Sequence, residues 1–263
     1  MAKNPWQQRI RRAEQLSAQH PFAAEILGFY IHVARFQQGL GEKLLCISAD
    51  PAVLLSGRSE FVDLLHSFPE FLSLVEGSAP ASFAQVAHQL RDALPSSWSD
   101  LLDHSWSNSN RPPFDPQEFL AEAFLQPYAE SARSSARLQL EGYTHPLCPF
   151  CNRKPAFGVL RLQGDGARRN LICGFCLCEW EFRRIVCPAC AQEDQAKLPV
   201  YTAAQFPHIR VECCDNCQTY IKSTDLTKNG LADPFVDELA SVPLDLWAQE
   251  HGYTKLRANL FAM

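Results

Sequence analysis

Ten of the eleven cysteines lie between Cys148 and Cys217, and eight of these ten form four Cys-x-x-Cys pairs. The pairs are Cys148/Cys151, Cys173/Cys176, Cys187/Cys190 and Cys214/Cys217. A two-residue spacer lets a tight turn direct two sulfurs at one point, so each pair can supply half of a tetrahedral metal site. The spacing therefore predicts metal binding by thiolates, with two pairs needed to complete each site.

The distances between the pairs favour a sequential arrangement. Residues 152–172 separate the first pair from the second, residues 191–213 separate the third from the fourth, and only residues 177–186 separate the second from the third. The two longer gaps are close to the spacing of a four-thiolate ribbon. Two tandem modules are thus predicted, one on the first two pairs and one on the last two. Spacing alone leaves a crossed pairing open.

The residues next to the cysteines are typical of turns. Pro149 and Pro188 follow the first cysteine of their pairs, where a fixed φ suits a turn. Asn152 follows Cys151, at a place where the backbone often becomes left-handed and asparagine is tolerated. Residues 157–162 and 170–172 are rich in strand formers and flank the polar turn 163–166. This pattern predicts a hairpin with a cysteine turn at its base.

Other roles for the cysteines have weaker support. The start of the chain, residues 1–10, shows no apolar export segment, and a reduced compartment favours metal ligation over disulfides. A thioredoxin-like redox site needs a single pair, whereas this chain has four. Cys178 and Cys213 break the regular spacing and are interpreted as small buried residues, with a nucleophilic or redox role as the alternative. Cys46 has the same default interpretation as a small apolar residue.

The elements that must position these thiols follow a helical region. Apolar residues recur at helical spacing along most of residues 1–142, and prolines and glycines separate the segments. The predicted helices cover residues 1–19, about 25 residues from Pro21, and residues 60–68, 69–76, 80–94, 98–106 and 116–140. Two or three short helices are predicted after residue 225, with starts at Pro234 and Pro243 and a stop at Gly252.

These patterns predict a multidomain fold of α-helices and small metal-bound β modules. An N-terminal all-α domain (1–142) precedes two tandem rubredoxin-like or zinc-ribbon modules (143–182 and 183–225) and a C-terminal helical tail (226–263). The eight paired cysteines are the predicted metal ligands, and no catalytic residue is predicted. The histidines of the helical domain are scattered without a metal-binding or catalytic motif: His20, His32, His66, His88 and His104.

Composition restricts the classes of function. The net charge of −5 argues against a nucleic-acid or anionic-membrane role. The sequence contains no run of eighteen apolar residues, so no membrane span is predicted. A soluble cytoplasmic protein is expected. A nucleic-acid-binding zinc ribbon is the alternative, because a basic stripe could form from Arg153, Lys154, Arg161, Arg168 and Arg169.

The cysteine-rich region resembles the formate dehydrogenase accessory (formation) protein family of the FdhE type. The resemblance rests on the stretches 148–155, 169–180, 184–190 and 214–222, and on the closing segment 237–253. It covers residues 143–255 well and the helical domain only by position and residue type. Asn152 departs from the family pattern, in which glycine is commoner, and Cys178 and Cys213 are additional thiols.

The resemblance implies an assembly factor for respiratory formate dehydrogenases and not an enzyme. It implies binding to the catalytic subunit of a formate dehydrogenase in the cytoplasm before export. It also implies rubredoxin-like iron sites on the paired cysteines, whereas the thiolate set by itself suits iron or zinc equally. If the metal is iron, a site could also sense or pass one electron, which would link assembly to redox state; this step is a hypothesis separate from the resemblance.

Overall fold

The computed structural model describes residues 5–46, 65–107 and 115–258, with only the backbone of residues 45 and 46. The predicted helix 60–68 lies partly outside these ranges, and the side chain of Cys46 lies outside them. The described chain divides into two compact units. The helical unit comprises residues 1–10 and 28–137, and the sheet unit comprises residues 11–27 and 138–263. The predicted domain boundaries stay predictions.

Six α-helices occupy the described part of the first 135 residues. They are α1 (Pro5–Gln19), α2 (Ala24–Cys46), α3 (Phe68–Ser78), α4 (Ala81–Arg91), α5 (Pro95–Ser107) and α6 (Pro116–Ser135), with a 3₁₀ turn at Pro21–Ala23. Asp115 caps α6 by accepting a hydrogen bond from the Gln117 amide. The all-α prediction for this region is confirmed, although α6 ends at Ser135 and not at residue 140.

The core of the helical unit is rich in aromatic rings. Phe68 and Phe124 meet edge to face with centroids 4.9 Å apart, and the rings of Phe83 and Phe119 lie 4.7 Å apart. Buried Gln37 donates to the Ala123 carbonyl at 2.6 Å, which satisfies the nitrogen of its side-chain amide away from water. The unit is thus held by apolar packing between helices.

A seven-stranded sheet forms the centre of the sheet unit. Its strands are β1 (Phe157–Gln163), β2 (Gly166–Ile172), β3 (Glu179–Glu181), β4 (Val200–Ala203), β5 (Phe206–Cys214), β6 (Thr219–Asp225) and β7 (Thr254–Lys255). The order is β3-β2-β1-β6-β5-β4, and β7 pairs with β6. The predicted hairpin at residues 157–172 is confirmed, with Phe157 opposite Ile172 and Gln163 opposite Gly166.

The two predicted modules share this one sheet. Strand β1 of the first module pairs in parallel with β6 of the second, and Gly158 lies opposite Ser223. A Cβ atom on Gly158 would stand 2.2 Å from the Ser223 Oγ atom. A side chain at position 158 would therefore force the Ser223 side chain to shift, a close approach of the two strands that the sequence did not indicate.

Two short helices follow the sheet, α7 (Pro234–Ala240) and α8 (Val242–Glu250). Asp233 caps α7, and Gly252 after α8 has a φ of 82°. The predicted helical tail with its stop at Gly252 is confirmed. Helix α7 packs on β6 and β1.

Buried charges attach these helices to the sheet. The Lys222 ammonium on β6 donates to the Asp245 carboxylate at 2.5 Å and to the Glu238 carbonyl at 2.7 Å. The Tyr220 hydroxyl donates to Asp245 at 2.8 Å, and Lys255 of β7 pairs with Glu238 and Asp245. Two ammonium groups and two carboxylates thus balance in a site from which water is excluded.

The second half of α1 belongs to the sheet unit through a further buried ion pair. The Arg12 guanidinium donates two hydrogen bonds to Asp237 of α7, at 2.8 and 2.5 Å. His208 of β5 lies 2.7 Å from the same carboxylate. Burial alone would raise the pKa of Asp237, but the hydrogen bonds from Arg12 and His208 outweigh it, and the pKa is lowered.

Candidate metal centres

The structure gathers the eight paired cysteines into two groups of four. Cys148, Cys151, Cys173 and Cys176 form the first group, and Cys187, Cys190, Cys214 and Cys217 form the second. Within each group all four sulfurs lie within 4.8 Å of one another. The sequential grouping predicted from the spacing is therefore the one observed, and the crossed arrangement is not.

The sulfur positions fit a tetrahedral ion. With metal–sulfur distances near 2.3 Å, ligand sulfurs in a tetrahedron stand about 3.8 Å apart. The Cys148 and Cys176 sulfurs are 3.5 Å apart, and those of Cys151 and Cys176 are 3.7 Å apart. In the second group, both Cys187 to Cys217 and Cys190 to Cys214 measure 3.7 Å. The donor set and its size thus suit one zinc or iron ion in each group.

One backbone turn is repeated at all four pairs. The residue after the second cysteine has a positive φ of 54° to 59° in every case: Asn152, Leu177, Ala191 and Gln218. Its amide donates to the carbonyl of the first cysteine of the pair, at 2.8 to 3.1 Å. The left-handed residue reverses the chain so that both sulfurs of a pair point to the same side.

Packing around the first group joins its two turns. The Arg153 guanidinium lies 3.8 Å from the centroid of the Phe175 ring, which stands between Cys173 and Cys176. Both side chains are buried, with 1% of each exposed. Gly174 is required beside them, because a Cβ atom there would stand 2.8 Å from the Cβ of Ala156. The contact between Arg153 and Phe175 thus links the turn of the first pair to that of the second.

Within each group the pKa of one thiol is lowered while that of another is raised. The hydrogen bond with Cys151 lowers the pKa of Cys148 to about 5, whereas hydrogen bonding to Cys148 raises that of Cys176. At Cys190, partial desolvation opposes the change, but donation from the Gln192 amide brings the pKa down to about 7. Burial raises the pKa of Cys214 to about 12, so each group contains both a thiol that favours the negative, metal-binding form and one that favours the protonated form.

The two additional thiols of the cysteine-rich region are buried. Cys178 and Cys213 have 2% and 3% of their surface exposed. Burial raises the pKa of Cys213 to about 12, which keeps that thiol protonated. Cys178 lies beside the first group, where its hydrogen bond contributes to the lowered pKa of Cys148. Neither is placed as an accessible nucleophile.

The arginines of the possible basic stripe are engaged in the sheet unit. Arg153 and Arg169 are buried, and Arg169 pairs with Glu212 at 2.7 Å. Arg161 makes two hydrogen bonds to Glu179, and Arg168 lies 3.5 Å from Glu181. Arg153 and Arg169 are therefore removed from the surface, and Arg161 and Arg168 each face a carboxylate. These four arginines do not form an exposed basic row.

Two histidines of the helical region are exposed and lie beside carboxylates. His88 lies 3.1 Å from Glu76, and His104 lies 3.2 Å from Glu118. In the described ranges, only the two cysteine groups bring three or more potential metal ligands together. None of the helices that the structure describes is both long and apolar enough to cross a membrane.

Comparison with known proteins bears directly on these two modules. Residues 147–184 match the family description "FdhE, central domain", and residues 185–262 match "FdhE, C-terminal domain". The Protein FdhE homolog of Aquifex aeolicus is 29% identical over 95% of this chain and 93% of its own length. That of Pectobacterium carotovorum is 27% identical over 98% of this chain and 87% of its own length.

A solved structure is similar over the whole chain. The crystal structure of the FdhE protein from Pseudomonas aeruginosa superposes with a TM-score of 0.72 at 25% sequence identity. The match covers 97% of this chain and 94% of that chain. Sequence models of both cysteine modules, relatives of similar length and a solved fold thus agree that the chain is similar to FdhE proteins along nearly its whole length.

Proposed function

We propose that this protein is a formate dehydrogenase accessory factor that binds the catalytic subunit of a respiratory formate dehydrogenase in the cytoplasm, before that subunit is exported. The observation that carries the proposal is the pair of four-thiol groups on one sheet, in a chain that is similar to FdhE proteins. The proposed partner, the catalytic subunit, is inferred from the resemblance of the cysteine motifs to the accessory family.

Each group of four cysteines is proposed to hold one metal ion. Iron follows from the resemblance, and zinc is the alternative that the same thiolates accept. The ion would supply folding energy, because it connects turns that come from separate parts of the sequence. Elemental analysis of the natively expressed protein tests this. Two irons with a red thiolate-to-ferric absorption, or two colourless zincs, would support it, and a folded chain without metal would overturn it.

The geometry supports a role other than catalysis. Four sulfurs complete a tetrahedral site and leave no open position for a substrate. The extra thiols Cys178 and Cys213 are buried, which disfavours covalent catalysis. An accessory protein that presents a folded surface to its client fits both observations.

Co-purification tests the partner. The tagged full-length protein is expected to recover the formate dehydrogenase catalytic subunit from cells grown with formate, and a deletion strain is expected to lose formate dehydrogenase activity. The matched variants are Cys213→Ser, which leaves all eight ligands in place, and Cys176→Ser, which removes one. Cys213→Ser should restore activity to the deletion strain and Cys176→Ser should not. Normal activity in the deletion strain, together with no recovered subunit, would contradict the proposal.

The nucleic-acid alternative makes an opposite prediction. Electrostatic binding to DNA or RNA weakens steeply as salt increases. Because the arginines of the stripe are buried or paired with carboxylates, we expect no salt-sensitive binding to either nucleic acid. A binding constant whose logarithm falls linearly with the logarithm of the salt concentration would instead support the zinc-ribbon interpretation.

A further inference from the structure

The two groups of four cysteines differ in their access to solvent. In the first group Cys148, Cys173 and Cys176 are buried, with 2%, 0% and 0% of their surface exposed, and Cys151 is half-buried. In the second group Cys187 and Cys214 are buried, Cys217 is half-buried and Cys190 is exposed. One sulfur-bearing residue of the second group thus stands at the surface, whereas no member of the first group does.

The residues between the cysteines show the same difference. Phe175, within the second pair, is buried under the Arg153 guanidinium. At the same position of the third and fourth pairs, Ala189 and Asn216 are exposed, and Asp215 before Asn216 is exposed as well. Turns that lie in solvent open locally at a lower free-energy cost than turns whose side chains are packed in a core.

A partly open cavity of the sheet unit also borders the second group. Cys187 and Cys214 line it, together with Arg184 and Arg210, and its volume is ≈ 50 Å³. A water molecule needs roughly 10 to 15 Å³ of such volume, so the cavity has room for several waters beside the sulfurs. No cysteine of the first group lines this cavity.

We propose that the second group is an exchangeable metal centre, which releases and takes up its ion in the folded protein, while the first group keeps its ion until the sheet unit unfolds. The inference deepens the metal-binding function proposed above and rests on it. An incoming thiolate or chelator would bind the ion at the exposed Cys190 edge and displace the four sulfurs in turn. The freed thiolates take up protons from solvent, and no electron is transferred.

The test is the release of zinc from the fully loaded, full-length protein to a coloured chelator in excess. We expect two phases of one ion each, with rates that differ at least about tenfold because the opening free energies differ. Release of both ions at a single rate would overturn the inference. A chain that holds no zinc or iron at all would instead overturn the metal-binding function, so the two failures are distinguishable.

Matched variants assign the phases. Cys190→Ser and Cys151→Ser each remove the second cysteine of a pair, followed in both cases by a left-handed residue. Cys190→Ser should stay folded and bind one ion that leaves at the slow rate. Cys151→Ser should lose the slow phase. Loss of the slow phase in Cys190→Ser would contradict the assignment.

Alkylation of the zinc-loaded wild-type protein provides an independent measurement should Cys151→Ser fail to fold. Mass spectrometry should find Cys190 and Cys217 modified several-fold faster than the four cysteines of the first group, because released sulfur is exposed only at the exchangeable centre. Equal or reversed labelling of the two groups would overturn the inference.

Discussion

At the scale of single residues, the four left-handed positions after the cysteine pairs determine how the sulfurs meet. Asn152 could be predicted from the sequence, because asparagine tolerates this conformation. Leu177, Ala191 and Gln218 could not, because these residue types carry no preference for a positive φ. Their conformation follows from the hydrogen bond that each backbone N–H donates to the carbonyl of the first cysteine, and from the convergence of four sulfurs, which only the folded chain displays.

Ala191→Gly tests the backbone strain at these turns. Glycine adopts a positive φ without steric cost, so we expect the variant to be more stable by about 1 kcal/mol in urea unfolding at fixed excess zinc. Ala189→Gly is the matched control, since Ala189 is equally exposed and is not among the residues with positive φ. It should be neutral or less stable than wild type. A loss of stability in Ala191→Gly would show that the turn carries no strain.

At the scale of elements, the sequence predicted the helices, the first hairpin and the C-terminal helices from periodicity and turn residues. It did not reveal that β1 and β6 join the two modules, because strand pairing across 65 positions leaves no local pattern in either strand. The same holds for Lys222 and Asp245, whose charges suggest exposure by residue type. Their burial depends on partners brought together by the tail helices.

Gly158→Ala tests the junction between β1 and β6. The added methyl group would meet Ser223 Oγ at 2.2 Å, and we expect a loss of about 1 to 3 kcal/mol in unfolding free energy from overpacking. The double variant with Ser223→Ala removes the closest atom and should recover part of this loss. Gly166→Ala is the control, because its nearest contact would be 3.9 Å away and its φ is not positive. If Gly158→Ala and Gly166→Ala changed the unfolding free energy equally, the close approach of Gly158 to Ser223 would be contradicted.

Lys222→Met tests the buried charge cluster. The change leaves two buried carboxylates against one ammonium group and should cost about 3 to 5 kcal/mol in chemical unfolding. In the double variant with Asp245→Leu, the remaining Lys255 and Glu238 still balance, so the total loss should be smaller than the sum of the two single losses. Strict additivity would show that the two groups do not interact.

At the scale of the whole molecule, the thiol sites and the helical unit are predicted to respond differently to loss of metal. A structural zinc site contributes about 10 to 16 kcal/mol of folding free energy in small domains, comparable with the whole stability of a typical protein at about 5 to 15 kcal/mol. The helical unit contains no described metal group and is held by apolar packing.

Metal removal followed by hydrogen exchange tests this difference. After denaturation with a chelator and refolding without metal, amides of β1, β2, β5 and β6 should lose most of their protection. Peptides from α3 to α6 should keep theirs, and adding zinc back should restore the sheet. Full protection of the strands in the metal-free chain would mean that the sheet folds without its thiol sites.

The order of the strands has one more consequence. Each module contributes cysteine turn, hairpin, cysteine turn and closing strand, and the closing strand β6 of the second module pairs with the opening strand β1 of the first. The two modules therefore join head to tail within the sheet. Its two edge strands are β3, the closing strand of the first module, and β4, the opening strand of the second. Closing and opening strands are the same two kinds that pair where β6 meets β1. If these edge strands were unprotected, β3 of one molecule could pair with β4 of the next and the molecules could polymerise. The three-residue length of β3, its exposed Glu181 and the bulge at Thr202/Ala203 in β4 provide that protection.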